Sequence, residues 1–440
     1  ILDLCFSEDW RAEVETFFRD RHFDLVGMTI RNTDDCYFAS QDFFIPFYRE
    51  VVSAVKSVSG AAVVLGGAGL SVSPAAALEA TGADFALRGE GEISLPMLAA
   101  GLSRSEIPGL VYPTPDGPVA NPPAWVDVGK LPVRSRRWLD NRRYFAEGGQ
   151  AGIETKRGCG ASCIYCADPV GKGPVCRLRS PEQVVAEMRT LLGQEIDVFH
   201  LCDCELNLPP SHAEALCRAI ADAGLGERIR WYTYAAPHPF SDELASLARK
   251  AGCVGIDFGA DSGDDGVLRS LGRGFGGAEV RRTAEICHRN GLVFMYDLLI
   301  GGPGETRESV VRTIELMKQI RPHRVGISVG VRLYDGTELA EMVRREGFSK
   351  DNPALHGAVE GNERLLRPVY YIEPSLGIEV VDLISGLVDG DPGFLHAKRE
   401  QIEGNYNYND NSVLVDAIGS GYRGAFWDIL RRVHEGIPPA

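Results

Sequence analysis

No apolar run in this 440-residue chain approaches the roughly 20 residues that a membrane-spanning helix needs, so a soluble protein without a membrane partner is expected. A basic excess is missing as well. The net charge is -15 at pH 7 and no Lys/Arg run is long, which argues against a nucleic-acid partner because phosphate contacts need a basic face. There is no signal-like start. Ile1 opens an apolar run without an initiator Met, and the natural N-terminus, with a first strand, is expected to precede it. No even disulfide framework is present either: the cysteines number 11, and three of them fall within eight residues. An odd, clustered set in a long chain fits thiolate metal ligation in a reducing cytoplasm better than secretion. Cys5, Cys36, Cys217, Cys253 and Cys287 sit in apolar or helical contexts and read as small buried hydrophobes. Repeats of solenoid period and low-complexity tracts are absent.

What is present is two successive α/β regions. In the first, FDLVGMTI (23–30), AAVVL (61–65) and ADFAL (83–87) are apolar runs of strand length, with helical periods over 42–58 and 92–102. Buried strands separated by helices predict a parallel, doubly wound sheet whose ligand lies over the carboxyl ends of its strands. A Pro-rich stretch at 112–123 reads as the boundary. From 152 the alternation restarts with six strands, at 152–155, 198–201, 229–234, 254–258, 293–300 and 325–331, with helices between them such as 181–192 and 278–290. Six units predict an open partial barrel. The expected organisation is therefore an N-terminal domain over 1–110, a linker over 111–150, the barrel over 151–345 and a small, mostly helical C-terminal region over 346–440 with a Tyr/Asn-rich loop at 405–411.

The chemistry-bearing feature is Gly158-Cys159-Gly160-Ala161-Ser162-Cys163-Ile164-Tyr165-Cys166, three thiolates on one loop after the first barrel strand. Thiolates suit iron–sulfur clusters or zinc. Zinc would need a fourth ligand from Cys176, Cys202 or Cys204, and no second Cys-x-x-Cys knuckle is present. The motif resembles that of the radical SAM superfamily, Cys-x-x-x-Cys-x-aromatic-Cys. The likeness extends through Gly259-Ala260-Asp261-Ser262-Gly263, the LRSLGRG run at 268–274, DLLIGGPGET at 297–306 and YDGTEL at 334–339. It implies that Cys159, Cys163 and Cys166 hold a 4Fe–4S cluster, with S-adenosylmethionine (SAM) bound at the iron left without a cysteine. It also implies SAM contacts from Asp203, Asp261 and Ser262. Where the family has a Gly-Gly-Glu type segment after the second strand, this chain has Asp203-Cys204-Glu205-Leu206-Asn207. Glu205 or Cys204 could then approach the open iron; Glu205 could equally hydrogen-bond SAM or a neighbouring backbone.

The first region ends its strands in Thr29-Ile30-Arg31-Asn32, Gly66-Gly67-Ala68-Gly69-Leu70-Ser71 and Gly89-Glu90-Gly91. Glycine permits close approach of a bulky ligand, although a tight turn explains it equally well. A flavodoxin-like domain ahead of this barrel resembles the cobalamin-dependent radical SAM class. That likeness implies corrinoid contacts from Thr29, Arg31, Asn32, Gly66, Gly67, Gly69, Ser71, Gly89, Glu90 and Gly91. No Asp-x-His-x-x-Gly segment supplies a lower axial His, so Arg31 is the candidate for the lower face, with pairing to Asp34 or Asp35 as the alternative. Members of the class are mostly methylases with methylcobalamin as the immediate donor. Resemblance to the tryptophan C2-methylating subgroup implies methyl transfer to a carbon of an amino acid or other small molecule. Tyr232 or Tyr234 would be the base, and an external electron donor is allowed for. The alternatives are a non-methylating oxidoreductase or cyclase of the same class, a zinc-stabilised binding protein, and a methylthiotransferase. The last places cluster cysteines in its N-terminal domain, and Cys5 and Cys36 are too few for that.

Overall fold

The computed structural model describes residues 1–397 and 411–439. The first sheet runs in the order β1 (Leu25–Thr29), β2 (Ala62–Gly66), β3 (Phe85–Leu87), β4 (Leu110–Tyr112), β5 (Val119–Ala120). β1, β2 and β3 are parallel, as their buried apolar runs predict, and β4 and β5 join antiparallel. One face buries Val63, Leu65 and Ala86 against the helices Trp10–Phe18, Ile45–Val58 and Pro74–Thr81. The other packs Val64 and Leu87 against Met97 and Leu98 of helix Gly91–Ala99. The sheet thus runs past residue 110, into the Pro-rich stretch expected to be a linker. Leu110 and Val111 are fully buried there, so burial outweighs the turn signal of the neighbouring prolines.

The second sheet begins with β6 (Ala151–Ile153), and a short hairpin of β7 (Lys156–Arg157) and β8 (Arg177–Leu178) encloses the cysteine loop. β9 (Val198–Leu201), β10 (Arg230–Ala235), β11 (Cys253–Asp261), β12 (Val293–Ile300) and β13 (Arg324–Val329) follow, all parallel. A three-stranded antiparallel patch is formed by β14 (Val331–Arg332), β15 (Leu355–Gly357) and β16 (Val369–Tyr371). The six expected barrel strands are joined by a seventh, β17 (Phe394–His396), which pairs parallel with β13. The C-terminal region is therefore less purely helical than expected. The Tyr/Asn-rich stretch at 405–411 lies, except for Asn411, outside the described residues.

Alternation along the barrel strands sets what faces the lumen. In β11, Ile256, Phe258 and Ala260 pack outward under the helices, leaving Gly255, Asp257, Gly259 and Asp261 on the inner side. The helix Phe426–His434 plugs the amino-terminal end of the barrel: Trp427 packs edge-on against Tyr232 at 6.1 Å. Of the cysteines read as buried hydrophobes, Cys217, Cys253 and Cys287 are buried in the core, whereas Cys5 and Cys36 are exposed. Among the described residues no helix is long and apolar enough to cross a membrane.

The segment after β1 is tied to the antiparallel patch by a buried ion pair. Arg332 Nη2 of β14 donates to Asp34 Oδ2 at 2.9 Å, and the two side chains are 3% and 1% exposed. Removing one partner of such a pair strands the other charge and costs roughly 3–5 kcal/mol. Arg332→Ala is therefore expected to lower the unfolding free energy by an amount in that range, read as a lower denaturant midpoint at unchanged slope. A midpoint like that of the unmodified protein would show that the pair does not join the two halves.

Candidate active site

The loop carrying Cys159, Cys163 and Cys166 is shaped by close backbone packing. Gly158 has φ +86°, and a Cβ there would lie 2.2 Å from Val175 O, so only glycine fits. Ile164 N donates to Leu271 O at 3.1 Å, seating the loop on the turn after the helix that follows β11. That turn delivers Arg273, which converges several groups. Its Nη1 donates to Cys163 Sγ and to Tyr165 Oη, each at 3.2 Å, and its Nη2 to Gly259 O at 2.6 Å. Its ion-pair partners are Asp261 at 3.3 Å and Glu205 at 3.6 Å. Asp261 also accepts from Tyr165 Oη at 2.6 Å and sits at φ +60°, a strained conformation held by these contacts. Arg273 stands in the 268–274 run, but its role was not legible in the sequence because its partners lie far along the chain. Its signal was only a cation in the loop after β11.

The segment after β9 is pinned on two sides. Lys156 Nζ donates to the carbonyls of Glu205, Leu206 and Leu208, and Asn207 bonds Ala236 N and O. Glu205 is thereby held against the cysteine loop with its Oε2 buried and without a hydrogen-bond partner. Burial, ahead of the neighbouring Asp261 and Cys159, pushes its pKa up to about 8 despite Arg273. The Cys204 thiol adjoins Cys159 and draws that pKa down to about 6. Cys176 Sγ turns to Gly158 O and Leu208 O, and the exposed Cys202 to His200 O. Three thiols on one loop, backed by a guanidinium and faced by an unpartnered buried carboxylate oxygen, form a donor set suited to an iron–sulfur cluster.

Between the strand ends of the two sheets lies a cavity of about 600 Å³ lined by Arg31, Asn32, Gly69, Cys166, Lys172 and Tyr334. A second, of about 590 Å³, runs along Thr29, Gly66, Gly67, Gly89 and Gly91. Together they offer room for a large flat ligand and its appendage. Arg31 is not paired with Asp34 or Asp35: Asp34 is taken by Arg332 and Asp35 by Ser40. Its guanidinium makes no ion pair among the described residues and acts on His200, whose pKa burial first and Arg31 second draw down to about 4.

Several expected contacts have other work. A Cβ on Gly67 would lie 2.4 Å from Ile30 O and one on Gly69 2.6 Å from Arg31 O, so these glycines first serve the crossing of their own strand ends. Ser71 is buried, donates to Gly67 O at 2.9 Å and accepts from Gly89 N at 3.0 Å, joining β2 to β3. Glu90 accepts from Arg177 at 2.5 Å and from Val126 N at 2.6 Å. Asp203 accepts from Thr155 N at 2.8 Å and Lys156 N at 3.2 Å, clamping the end of β6 to β9. Ser262 faces Thr313 at 3.0 Å, behind the strand. Tyr232 is buried and donates to Asp428 at 2.7 Å in the barrel plug, which rules out the base role expected of it. Tyr234, two residues on, is 39% exposed and packs edge-on to His200 at 4.9 Å.

The radical SAM superfamily profile matches residues 153–317. Tryptophan 2-C-methyltransferase of Streptomyces laurentii is 30% identical over 97% of this chain and 89% of its own length. The structure of the radical S-adenosylmethionine methyltransferase TsrM from Kitasatospora setae, with tryptophan substrate and a SAM analogue bound, superposes with a TM-score of 0.91 at 30% identity, covering 99% of this chain and 92% of that one. The cobalamin-dependent enzyme OxsB, with a TM-score of 0.69 at 16% identity over 86% of this chain and 59% of its own, shares the fold. The same Kitasatospora setae enzyme has also been solved with cobalamin and a [4Fe–4S] cluster bound, with a TM-score of 0.87 at 28% identity. A relative at 30% identity across nearly the whole of both chains places the present one: it belongs to the cobalamin-dependent radical SAM methyltransferases.

Proposed function

We propose that the enzyme methylates carbon 2 of the indole of tryptophan or a closely related amino acid, using SAM and cobalamin. The whole-chain likeness to a methyltransferase with tryptophan bound carries this reading. In it, Cys159, Cys163 and Cys166 hold the 4Fe–4S cluster, and Glu205, with its unpartnered buried oxygen, takes the place that three cysteines leave free. Arg273 supports the loop by donating to Cys163. Thr29, Asn32, Gly66, Gly67, Gly69, Gly89 and Gly91 line the space for the corrinoid, with the unpaired Arg31 at its lower face. When bound, the corrinoid supplies the methyl group as immediate donor. Arg31 would then place a cation against the bound corrinoid, where its charge would tune the group's methyl-donor chemistry. Tyr234 and the neutral His200 form the wall beside the acceptor.

The test is turnover of the reconstituted enzyme with methyl-labelled SAM and tryptophan. The expected product carries one labelled methyl on the indole. Consumption of tryptophan into an unlabelled product would replace this reading with a non-methylating oxidoreductase or cyclase.

A further inference from the structure

Two acidic residues stand in strands that are otherwise apolar: Asp257 in β11 and Asp297 in β12. Both belong to the inward-facing set. Asp257 pairs in register with Tyr234, and Asp297 with Gly259 and Gly326. Asp257 is 2% exposed, and its carboxyl has no hydrogen-bond partner among the described residues other than the Asp297 carboxyl. The two carboxyls act on each other directly: burial and the Asp297 carboxylate raise Asp257 well above the ordinary range, and burial lifts Asp297 to about 7. The other charged groups that act on the pair, among the described residues, are Glu205 and Asp261, both acidic. Among the described residues no Lys or Arg answers them. Arg273, the nearest cation of the site, is already committed to Cys163, Tyr165, Asp261 and the Gly259 carbonyl. Close by, His200 Nδ1 is buried and also without a partner.

A buried carboxyl pair that shares one proton keeps one negative charge, and a buried charge without a counter-ion is costly. Folds that retain such a charge pair it, and here the described residues supply no cation for it. The deficit has the size of a single monovalent cation with several N–H donors, and it lies on the wall that also presents Tyr234. We infer that Asp257 and Asp297 receive the ammonium group of the amino-acid substrate and thereby select for amino acids over other indoles. This assignment rests on the reading of the substrate as an aromatic amino acid. The pair is a binding element, which touches the substrate away from the carbon that is methylated.

Three ligands separate the contributions of the substrate's two charged groups. L-tryptophan carries ammonium and carboxylate, tryptamine only the ammonium, and indole-3-propionate only the carboxylate. Binding to the holoenzyme, loaded with cluster and cobalamin, is measured by equilibrium dialysis. Tryptophan and tryptamine are expected to bind about 10- to 100-fold more tightly than indole-3-propionate, the usual value of a charge-assisted hydrogen bond in a buried site. Asp257→Asn and, independently, Asp297→Asn are expected to remove that advantage while leaving indole-3-propionate binding unchanged. Retained cobalamin absorbance certifies that each variant is folded, and the three-ligand comparison on the unmodified enzyme needs no variant. Equal binding of tryptophan and indole-3-propionate overturns the inference and spares the substrate reading. So does undiminished tryptophan binding by both folded variants. Failure of the unmodified holoenzyme to bind any of the three overturns both.

Discussion

Cys163→Ala is expected to yield a protein that folds but takes up no 4Fe–4S cluster and loses methyl transfer by at least about 10³-fold, equivalent to roughly 4 kcal/mol of barrier. The loop that bears the three thiols is fixed by its own backbone, through Gly158 against Val175 O and Ile164 against Leu271 O, so its shape does not depend on the Cys163 side chain. The donors, however, are not replaceable. Of the remaining cysteines, Cys217, Cys253 and Cys287 are in the core, Cys176 and Cys202 hydrogen-bond to backbone carbonyls, Cys36 accepts from Tyr334, Cys5 is exposed, and Cys204 adjoins Cys159 rather than Cys163. Arg273 would lose the thiol it donates to and keep Asp261, so the local ion pair survives. Cys176→Ala is the informative control. It is expected to keep the iron content and colour of the parent, whereas a zinc site completed by Cys176 would fail in both variants alike. Iron and sulfide analysis with the visible spectrum reads both outcomes.

Glu205→Ala is expected to lower methylated product by about 10²- to 10³-fold, roughly 3–4 kcal/mol, with little loss of stability. The Glu205 Oε2 has no donor, and Arg273, its ion-pair partner at 3.6 Å, keeps the closer Asp261 at 3.3 Å when Glu205 is removed, so folding gains little from it. Lys156 and Asn207 hold the segment through backbone groups, which the substitution leaves untouched. A buried carboxylate that the fold does not need, set beside the cysteine loop, is a functional group. Removing it also frees the position next to the cluster for SAM, and 5′-deoxyadenosine is expected to appear where the parent makes none. An Ala variant with full methyl transfer would reduce Glu205 to a bystander that bonds its surroundings. Thermal or denaturant unfolding beside the product assay separates that case from simple misfolding.

The architecture was legible wherever one element buries one face over several residues. All six anticipated barrel strands are present because each is a predominantly apolar stretch of four residues or more, apart from the three-residue β6. β17 was not legible, since Phe-Leu-His is too short to carry a period, and only the edge of β13 makes it a strand. β4 and β5 were hidden by flanking prolines for a related reason: antiparallel pairing needs few residues once a partner edge exists.

The site was legible in its donors and less so in its supports. The cysteine spacing is local, and so was found. Arg273 touches Cys163 across 110 positions, and no local pattern announces that. Asp203, Ser71, Ser262 and Glu90 sit at strand ends, where polar side chains serve the backbone of the next strand as readily as a ligand. Tyr232 and Tyr234 share a face of β10, but the sequence gives the face and not the depth. Two residues of rise put one phenol into the plug and the other at the mouth. Asp257 and Asp297 did carry a signal, a charge placed inside a buried apolar strand, and such interruptions are worth reading as inward-facing chemistry.

The most direct measurement is a full account of SAM in one reaction of the reconstituted enzyme with tryptophan: labelled methyl in the product, S-adenosylhomocysteine and 5′-deoxyadenosine together. A cobalamin-dependent C-methyltransferase with Glu205 beside its cluster predicts S-adenosylhomocysteine equal to 2-methyltryptophan, and no deoxyadenosine. Deoxyadenosine in step with product, or product without label, would contradict it.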